Sequence, residues 1–372
     1  QFSRLSSWQV TPLGSFNVQQ KCHCFSTTIS RHSRTPLLRH FRSLLRPLRN
    51  TRKSPKIQLK NTKMENSKSK VLIIGATGSL GHHLAECSLR FSHPTFALVR
   101  QSAFSDPLKS LKLRSLSDAG VTLLQGSLED ESSLADAVNR VDVVICAVAT
   151  KDVLSQKLLI RIIAESGRIK RFIPAEFGCD ADKTQVSDLD HGFYSKKSEI
   201  RRLIEAQGIP YTYICCNFFM RLFLPSLVQP GRTSPPRDKV TVFGHGNAKG
   251  VFVKEKDVAA FTIKAVDDPR TLNKALHLRP PGNVYSMNEL VEIWEAKIGK
   301  KLERVFVSEQ ELLRRINETP YPDNMEMVFI YSAFVKGDQT YFDIESSGGV
   351  DGFKLYTELK YTTISEYLDT LV

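Results

Sequence analysis

The stretch Val71-Leu-Ile-Ile-Gly-Ala-Thr-Gly-Ser-Leu-Gly81 decides the fold of this chain. Its apolar run predicts a strand that is covered on both faces, as in a parallel sheet. Gly75, Gly78 and Gly81 then allow a tight turn and a close approach of the backbone to a ligand. A helix-like pattern follows, so free N–H groups and the positive end of a helix dipole meet at the turn. This suits a pyrophosphate, although the glycine spacing differs from the commonest dinucleotide motif and an ordinary strand–turn–helix is the alternative.

The composition indicates a large globular body. The chain has 372 residues, of which 41% are hydrophobic, enough for one α/β domain with a smaller appended one. The sequence has no apolar run long enough to cross a bilayer, so we expect a soluble protein with no membrane partner. Seven cysteines show neither C-x-x-C nor zinc-type spacing, which predicts a reducing, cytoplasmic location and no metal.

The net charge of +13 belongs to one segment. Residues 1–63 contain 13 Lys and Arg and no Asp or Glu, which leaves 39 basic and 39 acidic residues in the body. We therefore expect no nucleic-acid partner. Residues 1–67 are predicted to be a disordered basic tail. The first Met, Met64, favours sequence upstream of the true start; the alternative is a transit peptide, which would imply a plastid.

Short apolar strands alternate with helices as far as residue 224, the pattern of a doubly wound parallel sheet. The predicted strands after the first are 95–100, 121–125, 141–148, 170–174 and 211–216. Right-handed crossovers bring the loops at the carboxyl ends of such strands to one edge. We therefore expect a shared site built from residues 75–81, 100, 147–150, 175–179 and 217–220.

The residue pattern changes after residue 224. A Pro-rich segment precedes a predicted strand at Lys239–Phe243 and a predicted turn at residues 244–247, which together predict a hairpin. The domain prediction is thus a tail at 1–67, a Rossmann-type domain at 68–224 and a smaller α+β portion at 225–372. The last portion is expected to cap the cleft and to be interleaved with the domain before it.

Arg100 ends the second predicted strand, where a dinucleotide fold meets the adenosine ribose. An Arg at this point pairs with the 2′-phosphate of NADP, whereas NAD-binding proteins place an acid there. Lys109 lies in the following segment and could add a second positive charge. The sequence therefore predicts NADPH as the cofactor, the alternative being a solvated surface Arg.

Many reductases of this fold use a Tyr-x-x-x-Lys pair, but here Phe193 stands four residues before Lys197. Lys197 remains as the candidate acid or base, because an ammonium in a closing cleft can have its pKa lowered towards neutrality. The alternative is that Lys196 and Lys197 are solvated helix residues. Arg201, four residues after Lys197, shares its helix face.

Several motifs of this sequence resemble those of the plant isoflavone reductase-like family. The resemblance runs from about Lys68 to the C-terminus, and the matching motifs are Gly-Ala-Thr-Gly-Ser-Leu-Gly (75–81), Phe-Ala-Leu-Val-Arg (96–100), Arg-Phe-Ile-Pro-Ala-Glu-Phe-Gly (171–178), Ile-Pro-Tyr-Thr-Tyr (209–213) and Phe-Val-Lys-Gly-Asp (334–338). Within this family the chain resembles the branch of probable pinoresinol–lariciresinol reductases. The resemblance implies an NADPH-dependent reductase with an NmrA-like fold and a smaller capping domain for the substrate.

The resemblance also implies roles for individual residues. Lys197 would be the catalytic residue. The implied NADPH contacts are Gly75, Ala76, Thr77, Gly78, Ser79, Leu80, Gly81, Arg100, Lys109 and Arg201, with Phe177 near the nicotinamide. The implied substrate contacts, in an apolar and aromatic pocket, are Phe218, Phe219, Met220 and Tyr331.

The implied reaction is the reduction of a benzylic ether in a small phenolic substrate, a lignan or a phenylcoumaran. Lys197 would take the proton from a 4-hydroxyphenyl group. The phenolate would then expel the ether oxygen to form a quinone methide, which accepts a hydride from NADPH.

Three positions depart from the family pattern. Cys179 stands where leucoanthocyanidin reductases carry His, His245 replaces a usual Asp, and Tyr331 replaces a frequent His. Reduction of another phenylpropanoid or flavonoid therefore stays open, as does a non-catalytic NADP-sensing regulator. The oligomeric state is open as well, with a homodimer as one option.

Overall fold

The structure is a computed structural model that describes residues 68–372. The predicted basic tail, residues 1–67, lies outside the described residues. Within residues 68–372, every helix is too short or too polar to span a bilayer.

The first strand sits in the middle of a parallel sheet. The five strands have the spatial order β3-β2-β1-β4-β5. They are β1 Val71–Ile74, β2 Thr95–Val99, β3 Thr122–Gln125, β4 Val143–Cys146 and β5 Arg171–Ile173. The strand order reverses between β1 and β4, and a crevice opens at such a switch point outside the carboxyl ends of the strands.

Helices cover both faces of this sheet, which explains why β1 is apolar throughout. Val71 and Ile73 belong to the core on one face, while Leu72 and Ile74 belong to the core on the other. The helices of this half are α1 Ser79–Arg90, α2 Gln101–Ser105, α3 Pro107–Asp118, α4 Glu131–Val138, α5 Gln156–Ser166 and α6 Phe193–Ala206. The predicted Rossmann-type doubly wound sheet is confirmed.

The sheet continues beyond β5 with strands from distant parts of the chain. Strand β6, Thr212–Cys215, approaches β5 through a bridge between Phe172 and Tyr211. Strand β10 (Lys274–His277) pairs in parallel with β6, and β13 (Val350–Asp351) pairs in parallel with β10. Strands from both sides of residue 224 therefore share one sheet edge.

Most of the remaining elements form a smaller α+β layer, whereas α8 (Glu255–Ala265) packs on α1 and joins the core of the parallel sheet. Strands β7, β9 and β11 make one sheet, and β8 pairs with β12. The bounds are β7 Phe218–Phe219, α7 Met220–Phe223, β8 Lys239–Phe243, β9 Lys249–Val253, α8 Glu255–Ala265, β11 Val284–Ser286, α9 Met287–Ile298, β12 Glu303–Val307, α10 Glu309–Glu318, α11 Met325–Phe334, α12 Gly352–Leu355 and α13 Ile364–Asp369.

The predicted hairpin after Lys239 is wrong. Strand β8 pairs in parallel with β12, while β9 joins β7 and β11 in the other sheet. The turn between β8 and β9 has φ of +62° at Gly244 and +70° at Gly246, and its His245 carbonyl accepts a hydrogen bond from Asn288 (3.0 Å). A tight turn fixes a change of direction, but the strand that pairs with β8 lies about sixty residues away.

Candidate active site

The three glycines of the first turn are packed against backbone, which explains the residue type. Gly75 has φ of +93°, and a Cβ added there would lie 2.6 Å from the Ala147 carbonyl oxygen. A Cβ on Gly81 would overlap the Gly75 carbonyl, and Gly78 caps helix α1 with no side-chain hydrogen bond. The first N–H groups of α1 are therefore open to a ligand, and a phosphate fits this arrangement.

A cleft of about 410 Å³ runs from this turn over the carboxyl ends of β1, β2 and β4. Arg100 and Lys109 line it together and are both exposed. Lys109 Nζ lies 2.7 Å from the Asp106 carboxylate, which partly compensates its charge. Two cations at one end and a glycine turn at the other fit the 2′-phosphate and pyrophosphate of NADPH.

Sequence reasoning missed Lys112, which supports the glycine turn. Lys112 Nζ donates a hydrogen bond to the Thr77 carbonyl oxygen (3.2 Å) from the exposed side of α3. The only signal in the sequence is the three-residue spacing from Lys109, which places both cations on neighbouring turns of one helix.

A second cavity, of about 390 Å³, adjoins the cleft, and we call it the substrate cavity. Both spaces are lined by Gly78 and by Ala147, Val148 and Ala149, so the cleft and the cavity meet along these residues. Seven aromatic side chains line the substrate cavity: Phe177, Phe193, Tyr194, Phe218, Phe219, Phe223 and Phe329. Such a lining suits an aromatic ligand.

Lys197 lies in the wall of the substrate cavity and is only 2% exposed. Its Nζ donates a hydrogen bond to the Glu176 carbonyl oxygen (2.7 Å) and lies 4.8 Å from the centroid of the Phe193 ring. Burial lowers the pKa of the Lys197 ammonium, against an opposing effect of the Glu176 charge. The alternative of a solvated Lys197 is therefore wrong, although Lys196 is exposed.

Two unusual backbone conformations bring the loops after β5 and β6 to Lys197. Phe177 has φ of +26° and Asn217 has φ of +61°, in a region that favours glycine. The Asn217 N–H donates to the Gly178 carbonyl oxygen (2.9 Å), so the two loops are joined. Strained residues of this kind persist where the surroundings enforce them, and they often lie at functional sites.

Arg201 does not lie in the cofactor cleft, which corrects the implied cofactor contact. It lines neither cavity, and its side chain is 3% exposed. The guanidinium is bidentate to Glu176 and also donates to Asp180 (2.6 Å) and Asp182 (3.1 Å). Arg201 is thus a structural cation under the loop that presents the Glu176 carbonyl to Lys197.

Two implied substrate contacts are corrected as well. Met220 is fully buried in the core, and Tyr331 donates its hydroxyl proton to Glu309 (2.8 Å); neither lines the substrate cavity. Phe218 and Phe219 do line it, and so does Cys179. Met220 is the first residue of α7, where the chain changes direction after β7, and its side chain lies in the core.

One group of potential metal ligands exists among the described residues. Atoms of Asp180, Cys215 and His277 lie within 4.8 Å of one another. Arg201 donates to Asp180 and to the Cys215 sulfur (3.5 Å), so a cation already lies against two of the three side chains. Burial lowers the pKa of His277 to about 4, which keeps its ring neutral.

Comparisons with known proteins agree with this arrangement. The model of the NmrA-like family matches residues 67–368. The probable pinoresinol-lariciresinol reductase 3 of Arabidopsis thaliana is 68% identical over 308 residues, 83% of this chain and 99% of its own length. The phenylcoumaran benzylic ether reductase IRL1 of Ginkgo biloba is 53% identical over 305 residues, with coverage of 82% and 99%.

A solved structure of AtPrR2 with NADP+ and (+)pinoresinol superposes with a TM-score of 0.77 at 36% identity, covering 82% of this chain and 99% of the other. The family model and these relatives all match the portion that carries the glycine turn and Lys197. The chain therefore belongs to the NmrA-like family, among its isoflavone reductase-like members.

Proposed function

We propose that this chain is an NADPH-dependent reductase that opens a benzylic ether bond in phenylpropanoid-derived phenols, such as lignans or phenylcoumarans. One observation carries the proposal: the buried amine of Lys197 lies in an aromatic cavity that is also lined by Gly78 of the glycine turn. The relatives named above are reductases of this kind, and one was solved with NADP+ and pinoresinol.

The cleft offers complementary groups for the cofactor. Residues Gly75 to Gly81 would hold the pyrophosphate at the start of α1, and Arg100 and Lys109 would hold the 2′-phosphate. Phe177 lines the substrate cavity, where the nicotinamide end would enter. Bound there, NADPH supplies a hydride to the benzylic carbon of the substrate.

Lys197 acts as the general base. Its neutral amine takes the proton of a 4-hydroxyphenyl group, and burial favours that neutral form. The electron pair of the phenolate moves through the ring and breaks the benzylic C–O bond, which leaves a quinone methide and an oxyanion: an alkoxide from a lignan, a phenoxide from a phenylcoumaran. Reduction at the benzylic carbon restores the phenolate. The proton on Lys197 and one from solvent then neutralise the two oxygens.

The aromatic rings around the cavity hold the planar substrate and exclude water from the quinone methide. Phe193 occupies the position, four residues before Lys197, at which many reductases of this fold carry a tyrosine. A tyrosine acid is not required, because hydride addition to a quinone methide gives a stabilised phenolate and not the strongly basic alkoxide that a ketone would give.

The test is an assay of the purified chain with NADPH and either pinoresinol or dehydrodiconiferyl alcohol, in which NADPH oxidation and the ring-opened product are both measured. We expect turnover of at least one ether. Tight NADPH binding without oxidation by either ether, or by a wider set of phenols, would favour an NADP-sensing regulator. Turnover confined to flavonoids or to open-chain phenylpropanoids would correct the substrate class.

A further inference from the structure

The rim of the substrate cavity combines an apolar and a cationic side chain. Arg221 and Leu222, both in α7, line the cavity and are each 51% exposed. Lys197, by contrast, is buried in the wall. A ligand that places its reacting phenol at Lys197 and extends outward therefore meets Arg221 and Leu222 at the opening.

Arg221 is held in place without using all its donors. Its Nε donates to the carboxylate of Glu255, which is 5% exposed at the start of α8. Neither Nη atom of Arg221 makes a hydrogen bond with the residues that the structure describes. A guanidinium of this kind presents a fixed plane and further N–H donors to a ligand.

The size of the cavity decides what reaches the rim. Its volume of about 390 Å³ is near the lower end for ligand pockets, and Gly78, Ser79 and Leu80 line it on the cofactor side. The nicotinamide end of NADPH and one phenol ring would occupy this space together. A substrate with two aromatic rings must then lay the second ring against the rim.

We propose that Arg221 binds the second, non-reacting aromatic ring of a two-ring phenol and selects rings that carry oxygen substituents. The proposal rests on the proposed function and names its substrate class more narrowly. Leu222 covers the face of the ring, while the guanidinium stacks on the ring or donates to its phenolic and methoxy oxygens. The Glu255 carboxylate neutralises Arg221, so a neutral oxygen acceptor suits this place better than a carboxylate does.

The test compares pinoresinol with an analogue whose non-reacting ring has no oxygen substituent. In the unmodified chain we expect the analogue to have a KM about tenfold higher, the effect of losing one hydrogen bond to a charged group. In Arg221→Met the two KM values should become equal at the higher level. Arg232→Met, an exposed arginine that lines neither cavity, is the matched control and should keep the preference.

Arg221→Met also leaves the Glu255 carboxylate buried without its partner. The double variant Arg221→Met/Glu255→Gln is therefore measured beside it, and it should lose the preference in the same way. An undiminished preference in either folded variant, or an equal loss of kcat/KM for both ethers, overturns the proposal.

Failure of the proposed function would look different. If the unmodified chain reduces neither ether, the function is wrong, and calorimetric affinities of the two compounds for the NADP+ complex still decide the role of Arg221. Equal affinities in the unmodified chain would then overturn it, and an affinity difference that vanishes in Arg221→Met would support it.

Discussion

Lys197 is the residue on which the proposed chemistry depends, and its neighbour offers a matched control. Lys197→Met should lower kcat by at least about 100-fold, because a positioned general base contributes on that order or more. NADPH affinity should be largely retained, since the groups proposed to hold its phosphates lie in the cofactor cleft, which Lys197 does not line. Lys196→Met removes an exposed amine one position away and should leave kcat intact. Comparable activity of both variants would remove Lys197 from the mechanism.

The pH dependence of the reaction should carry the signature of a buried amine. Because the neutral form of Lys197 is the base, kcat should rise with pH through the Lys197 pKa. Burial lowers that pKa below the ordinary value for lysine, so the rise should occur below pH 10.5. A rate that falls with increasing pH in this range would argue for Lys197 as an acid instead.

Phe193 also affects the protonation of Lys197, but it favours the charged form, whereas burial favours the neutral form. Its ring lies 4.8 Å from Lys197 Nζ and favours the ammonium. Phe193→Leu should therefore lower the pKa further and shift the rising limb to lower pH, by up to about one pH unit. Phe329→Leu is the control, since Phe329 lines the cavity and packs on Phe193 without lying over the ammonium. A limb that moves equally in both variants would contradict this role.

The turn between β1 and α1 depends on its glycines, because the surrounding backbone leaves no room for side chains at Gly75 and Gly81. Gly81→Ala would force a Cβ into the Gly75 carbonyl. We expect NADPH affinity to fall by more than about tenfold, since moving the turn disrupts hydrogen bonds to the charged phosphates worth about 1.5 kcal/mol or more each. Gly299→Ala, at the end of α9 where nothing lies within 4 Å, should leave the affinity unchanged in the same titration.

Helix α6 is tied to the loop after β5 by the buried arginine cluster. Arg201→Met would leave the carboxylates of Glu176 and Asp180 buried without their cation, and should cost about 3–5 kcal/mol of the free energy of unfolding. Arg202→Met removes a half-exposed arginine that pairs with Asp182 and Glu205, and should cost less than about 1 kcal/mol. Urea unfolding measures both, and similar values would show that the cluster is not needed for stability.

Helices and central strands could be predicted well because their signals are local. The apolar run of β1, the glycine turn and the 3.6-residue period of α6 each reside in a few consecutive residues. Pairing between distant segments could not be predicted in this way. The parallel partner of β8 and the extension of the sheet by β10 and β13 depend on contacts across tens or hundreds of residues.

The candidate site shows the same division. Residues on regular elements or in the glycine turn, such as Lys197 and Arg100, could be placed from sequence. Residues whose role depends on side-chain direction could not. Arg201 shares the helix face of Lys197, yet its guanidinium is engaged by carboxylates from the preceding loop. Arg221 carried no signal, because its place at the rim follows from the turn of the chain between β7 and α7.

At the scale of the whole molecule, the contact between the cofactor cleft and the substrate cavity determines the order in which the ligands bind and leave. Gly78 and Ala147 to Ala149 line both spaces, so a bound nicotinamide would form one side of the substrate cavity. We therefore expect compulsory sequential kinetics, with NADPH the first ligand to enter and NADP+ the last to leave. NADP+ should inhibit competitively against NADPH alone, and excess phenol should trap the enzyme–NADP+ complex and slow turnover. Random addition in initial-rate measurements would mean that the phenol binds to the substrate cavity equally well without the cofactor.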